Sequence, residues 1–200
     1  MLSGPIHHLS IFMNKSFLSI NVSESEKNVD YWAARPYVDQ TLGEKLRRAE
    51  IFVLPWEDFR DGEPILFPNG TADVQRMLLD AFSGSVALLA TPDNYKEIAL
   101  HANVSRWPML LVKQAALPIL LGVMSNELDS AAFHHEQNVE LRIVIATQGQ
   151  QCVQIEYKGP ANDAVKALAE NAAKYCPQPI HSVGHGHQSK HEHKDGRDHG

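Results

Sequence analysis

Residues 38–54, VDQTLGEKLRRAEIFVL, decide the fold of this chain. Val38, Leu42, Leu46 and Ala49 recur at intervals of four, four and three, which gathers them on one side of a helix. Glu44, Lys45, Arg47 and Arg48 take the opposite, solvated side. The helix runs straight into Ile51-Phe52-Val53-Leu54, an apolar run without alternation, as expected of a strand covered on both faces. Such a strand needs helices on each side of its sheet, so the stretch predicts a layered α/β architecture.

Upstream, residues 16–22 read as a strand through Phe17, Ile20 and Val22, followed by a polar loop. Downstream comes a loop at 55–64 rich in acids and aromatics, then Ile65-Leu66-Phe67 and the turn Pro68-Asn69-Gly70. Thr71 reads as the cap of a helix whose stripe is Val74, Met77, Leu78, Ala81 and Phe82. Residues 85–90 read as a buried strand, Thr91-Pro92-Asp93 as the start of a helix reaching about residue 103, and 109–112 as the next strand. This repetition of strand and helix predicts a largely parallel sheet.

The second half reads differently. Residues 117–124 suit a strand, 127–136 a short helix, and 139–147 and 152–157 two strands of a hairpin turning at Gln148-Gly149-Gln150. In that hairpin Val139, Leu141, Ile143 and Ile145 alternate with Glu140, Arg142 and Val144, and Val153, Ile155 and Tyr157 alternate with Gln154 and Glu156. One face is therefore buried and the other largely wet. Asn162 or Asp163 caps a closing helix with the stripe Ala164, Val165, Leu168, Ala172 and Tyr175. The expected fold is α/β: a mixed, largely parallel sheet flanked by helices, ending in a β-hairpin plus helix. Residues 1–178 form one domain, or two subdomains at about 1–112 and 113–178, and 179–200 form a His-rich tail too poor in apolar residues to order itself without a ligand.

The chain has 200 residues, 44% of them hydrophobic, and a formal net charge of -6. That charge offers no basic patch for phosphates, so nucleic acid is not an expected partner. Cys152 and Cys176 are too few for a disulfide framework in a chain of this size, which points to a reduced, cytoplasmic setting. Residues 1–13 do not read as an export signal, because Pro5, His7 and His8 interrupt the apolar stretch. The most apolar window, 108–124, contains Lys113, Gln114 and Pro118 and reads as two buried strands, so no direct contact with a membrane is expected. The phosphate loop, the dinucleotide fingerprint, the nucleophile elbow and the His-Glu-x-x-His zinc motif are all missing, which indicates no nucleotide cofactor and no recognised catalytic machinery. His134-His135-Glu136 holds a His-x-Glu without the Pro-Cys-x-x-Cys of zinc deaminases.

Two segments carry candidate chemistry. His181, His185, His187, His191, His193 and His199 place six of the eleven histidines in the last twenty residues. The pairs His185-Gly-His187 and His191-Glu-His193 bring two imidazoles within reach of one ion, and imidazole suits nickel and zinc. The tail resembles the His-rich extensions of nickel and zinc accessory proteins such as urease and hydrogenase maturation factors, and that resemblance implies metal contact. Metal-free readings of the same composition are a solubilising extension, or one that gains positive charge below about pH 6.5.

The second segment is the loop after Ile51–Leu54, the usual place for a ligand crevice in an open α/β sheet. Trp56, Asp58, Asp61 and Asn69 are its candidate crevice residues, alongside Glu57, Phe59 and Glu63. Carboxylates there could hold a cation or move protons, aromatics could wall a flat substrate, and a solvated surface loop is the plain alternative. Three functions follow: a metal-binding accessory protein whose body meets a protein partner, a binder or enzyme of nucleosides or sugars, and a subunit of a larger assembly.

Overall fold

A computed structural model describes residues 18–99, 104–128, 138–147 and 152–176. The chain opens with β1 (Ser19–Ser25), α1 (Val29–Ala33) and α2 (Gln40–Arg48), then β2 (Ile51–Leu54), β3 (Trp56–Arg60) and β4 (Glu63–Pro68). It continues through α3 (Thr71–Phe82), β5 (Val86–Leu88), β6 (Glu97–Ile98), β7 (Val104–Arg106) and β8 (Met109–Lys113). The remainder is α4 (Leu117–Leu128), β9 (Asn138–Ala146), β10 (Cys152–Pro160) and α5 (Ala161–Tyr175). Among the described residues one seven-stranded sheet runs in the order β1-β10-β9-β8-β2-β5, with β7 paired to the start of β9, and β3, β4 and β6 form a second, three-stranded sheet. Strands from both sides of residue 112 interleave in the large sheet.

The large sheet is mixed rather than largely parallel. β1/β10, β10/β9 and β2/β8 run antiparallel, whereas β2/β5, β8/β9 and β7/β9 run parallel. A parallel return needs a crossover, usually a helix, and the helix expected after Pro92 is replaced by something else. The Asn94 and Tyr95 amides donate to the Thr91 carbonyl in a single turn, and the chain then extends into β6, which pairs with β4. The expected run at 117–124 is also corrected: it is helical, within α4. Leu117, Leu120, Met124 and Leu128 are buried at intervals of three, four and four, while Ile119 is 55% exposed. Further apolar residues, Leu121 and Val123, are partly buried against the core and hide this period in the sequence. Pro118 sits in the first turn, where its missing N–H breaks no helical bond.

Local chemistry explains the other boundaries. The 55–64 loop is instead the hairpin β3–β4, turning at Asp61-Gly62 with Gly62 at φ 78 and irregular around Asp58 at φ 52. The helix α1 falls where only loop is expected, and Asn28 starts it by accepting the Tyr31 amide at 2.9 Å. Asp39 caps α2 in the same way through the Leu42 amide at 2.7 Å. Gly70, not Thr71, is the N-cap of α3, and the Thr71 hydroxyl donates to the Pro68 carbonyl at 2.6 Å. The missing side-chain cap comes from β6, where the Glu97 carboxylate accepts the Gly70 and Ala72 amides, each at 3.1 Å. Pro160 precedes α5, in place of a cap from Asn162 or Asp163. β9 and β10 pair antiparallel, and the expected turn between them lies outside the described residues.

Alternation along each strand divides the core between two faces. Ile51 and Val53 of β2 join Ile143 of β9 under α3, α4 and α5, with Leu78, Leu120 and Leu168 buried there. Phe52, Leu54, Leu111 and Val144 point the other way, toward Trp32, Leu42 and Leu46 of α1 and α2. Full burial of a leucine such as Leu46 contributes about 1.5–3 kcal/mol. No helix among the described residues is long and apolar enough to cross a membrane.

Candidate functional site

Among the described residues the short helices α1 and α2 cover only part of their face of the sheet, and the part they leave is the site. Along β9 the side chains of Val144, Arg142 and Glu140 project to this face, yet Val144 is buried while Arg142 and Glu140 are only half-buried. On β10 the same face carries Cys152, which is buried, then Gln154, Glu156 and Lys158, which are not. Ser19 and Asn21 of β1 extend the polar surface, opposite Lys158 and Glu156. β3 stands beside this floor, and the two enclose an open cavity of about 880 Å³. Such a volume lies within the range of small-molecule sites, about 300–1,000 Å³.

Aromatic side chains form much of the wall. Trp32, Trp56 and Trp107, the three tryptophans of the chain, all line the cavity. The rings of Trp56 and Phe59 are 5.1 Å apart and tilted by 39°. Phe59 remains 49% exposed, and the Trp32 indole N–H, in a residue only 2% exposed, has no hydrogen-bond partner among the described residues.

Charge on the floor is arranged in pairs. Arg106 Nε lies 3.1 Å from Glu140 Oε2, and Arg142 Nε lies 2.8 Å from Glu156 Oε1, which also accepts from Gln154 Nε2 at 2.8 Å. Lys158 faces Glu140 in register but forms no ion pair among the described residues, whereas Glu140 is engaged by Arg106.

Glu57, in the wall, has a side chain only 8% exposed. Its carboxylate accepts from Lys27 Nζ at 3.2 Å, Tyr31 Oη at 3.1 Å and Tyr37 Oη at 3.0 Å. Arg35 Nε completes the shell at 2.6 Å, an ion pair whose N–H is not aligned as a hydrogen bond. Burial pushes this carboxyl up, but the Lys27, Tyr37 and Tyr31 donors outweigh it and hold the group below its ordinary value. A carboxylate offers about four lone-pair sites; three accept hydrogen bonds here and the Arg35 guanidinium adds an ion pair. Glu57 is therefore a fastener joining α1 and the loop after it to β3, not a free base or metal ligand.

The structure separates the residues singled out in the sequence. Trp56 lines the main cavity, whereas Asp58 and Asp61 are exposed on the β3–β4 hairpin. Asn69 borders a second concavity of about 420 Å³ with Asp73 and Arg76, and Arg106 and Trp107 touch both spaces. The N-terminal amides of α3 are not open to an anion, since Glu97 already occupies them. Glu63 is paired with Lys96 at 2.7 Å. All eleven histidines, including the six of the tail, lie outside the described residues. Among the described residues no group of three or more His, Cys, Asp or Glu is placed to hold a metal ion. Cys152 and Cys176 are buried free thiols, both shifted up by burial.

The floor residues Glu140, Arg142 and Glu156 are foreshadowed by the wet face of the alternating strands, although the sequence does not mark them as a site. Lys27, Trp32, Trp107 and Lys158 carry no such signal, because they reach the cavity through strand order and the placement of α1. No protein-family model, curated protein or solved structure matches this chain.

Proposed function

We propose that this chain is a non-enzymatic, cytoplasmic metal-binding accessory protein. In this reading His181, His185, His187, His191, His193 and His199 hold nickel or zinc loosely, and the folded body engages a protein partner. One observation carries it: six histidines within twenty residues, interleaved with Gly, Ser and acidic residues. Clustering of that kind gives local imidazole concentrations of about millimolar, suited to exchangeable chelation and hand-over to a better-organised site. Equilibrium dialysis against Ni and Zn, comparing the full chain with a full-length variant in which all six histidines are replaced by Asn, tests the proposal. Metal bound by the first and not by the second is the expected result. Equal stoichiometry in both removes the tail from the account.

The cavity supports a second reading, in which the body binds a small molecule such as a nucleoside or sugar and the tail is incidental. Its supporting observation is the aromatic wall of Trp56 and Phe59 over a polar floor. Calorimetric titration with candidate ligands checks it, and the ligand class is narrowed below.

A further inference from the structure

We propose that the cavity over β9 and β10 binds a small ligand that joins a planar ring to an anionic group. The inference rests on the small-molecule reading of this cavity and adds the class of ligand.

The ring end follows from the wall. Trp56 and Phe59 are adjacent, and Phe59 leaves half of its surface in water. Aromatic faces at a cavity rim gain most from covering by another flat ring, which removes apolar surface from water and stacks at the same time.

The anionic end follows from charge and from the state of each partner. The lining holds four cations, Lys27, Arg106, Arg142 and Lys158, against three anions, Glu57, Glu140 and Glu156. Three of the cations are matched: Lys27 with Glu57, Arg106 with Glu140 and Arg142 with Glu156. Lys158 is the excess charge, on a chain whose net charge is -6. A local surplus of positive charge on an acidic molecule favours an anion over a cation. Partial enclosure by low-dielectric walls strengthens that preference relative to open solvent.

A neutral hydrocarbon would leave Lys158 unmet, and a cationic ligand would oppose it.

Carboxylate and phosphate share the required chemistry, so the test carries an arm for each. AMP serves as the phosphate probe and biphenyl-4-carboxylate as the carboxylate probe. Adenosine provides a ring without charge, and inorganic phosphate a charge without a ring. All four are titrated calorimetrically into the full chain. Tryptophan fluorescence follows AMP in parallel, because all three tryptophans line this cavity. At least one ring-plus-anion probe is expected to bind about tenfold more tightly than either half-ligand, the gain of one hydrogen-bonded charge contact. Lys158→Gln and Phe59→Ala, both at solvent-accessible positions, are each expected to weaken that binding about tenfold. If adenosine binds as tightly as AMP and Lys158→Gln has no effect, the anionic class is overturned while small-molecule binding stands. If no probe binds, both are overturned.

Discussion

The Glu57 carboxylate lies 2.6 Å from the Arg35 guanidinium, and the phenols of Tyr31 and Tyr37 close over it. One acidic residue of β3 thereby ties the part of the cavity wall formed by β3 to Lys27, α1 and the loop after it. Glu57→Ala leaves Lys27 and Arg35 without their counter-charge and two tyrosine hydroxyls without an acceptor. It is expected to lower stability by about 1–3 kcal/mol, the cost of unmet polar groups at a partly buried site. Urea unfolding should show a lower midpoint with an unchanged slope. An unchanged midpoint would mean that the cluster contributes nothing.

Acid should weaken the fold through the same residue and through Glu97. For Glu97, burial pushes the carboxyl up, but Tyr95 and the Ala72 and Gly70 amides outweigh it and hold it below its ordinary value. Both groups titrate below 4.5 in the folded chain, so the unfolded chain binds more protons as the pH falls through this window. Their stabilisation is complete above the unfolded value and is lost as the pH falls through the folded ones. Urea midpoints measured from about pH 6 down to pH 3 should drop for the native chain. The drop should be smaller in a Glu57→Gln, Glu97→Gln double variant, and an equal drop in both would assign acid sensitivity to other carboxylates.

Glu97→Ala tests a cap supplied from a distant strand. It frees the Gly70 and Ala72 amides that the carboxylate now accepts. The expected loss is about 1 kcal/mol, as for removal of an ordinary N-cap side chain. Hydrogen exchange should quicken first at those two amides and leave the centre of β2 protected.

How much of this was legible depends on whether a feature is local. Val38 to Leu54 and the strands of β9 and β10 are legible because each period belongs to its own segment: helical spacing in α2, an unbroken apolar run in β2, alternation in β9 and β10. The Glu97 cap joins residues far apart in sequence, and no local pattern announces it. Thr91-Pro92-Asp93 looked like a helix start because the chain does make one turn there, before pairing with β4 draws it out. Asp61-Gly62 was a readable hairpin signal obscured by the charges around it. The cavity was legible only as a wet sheet face, since its depth comes from where α1 stops and β3 stands.

Two glycines give opposite tests of local structure. Gly122 lies within α4 and is exposed, and a Cβ added there meets nothing within 4 Å. Gly122→Ala should therefore stabilise the chain by about 0.5–1 kcal/mol, because alanine loses less backbone freedom than glycine on entering a helix. Gly159 sits under the ring of Tyr157, where an added Cβ would come 2.9 Å from Tyr157 Oη and 2.9 Å from Leu18 Cδ1. Leu18 is a flexible, exposed side chain and can move aside. Tyr157 cannot do so freely, because its ring is buried and its hydroxyl donates to the Pro160 carbonyl at 2.6 Å. Gly159→Ala should consequently destabilise by about 1–3 kcal/mol through overpacking. Thermal unfolding of the two variants beside the native chain reads both signs, and a rise for Gly159→Ala would show that the Tyr157 ring is free to swing away.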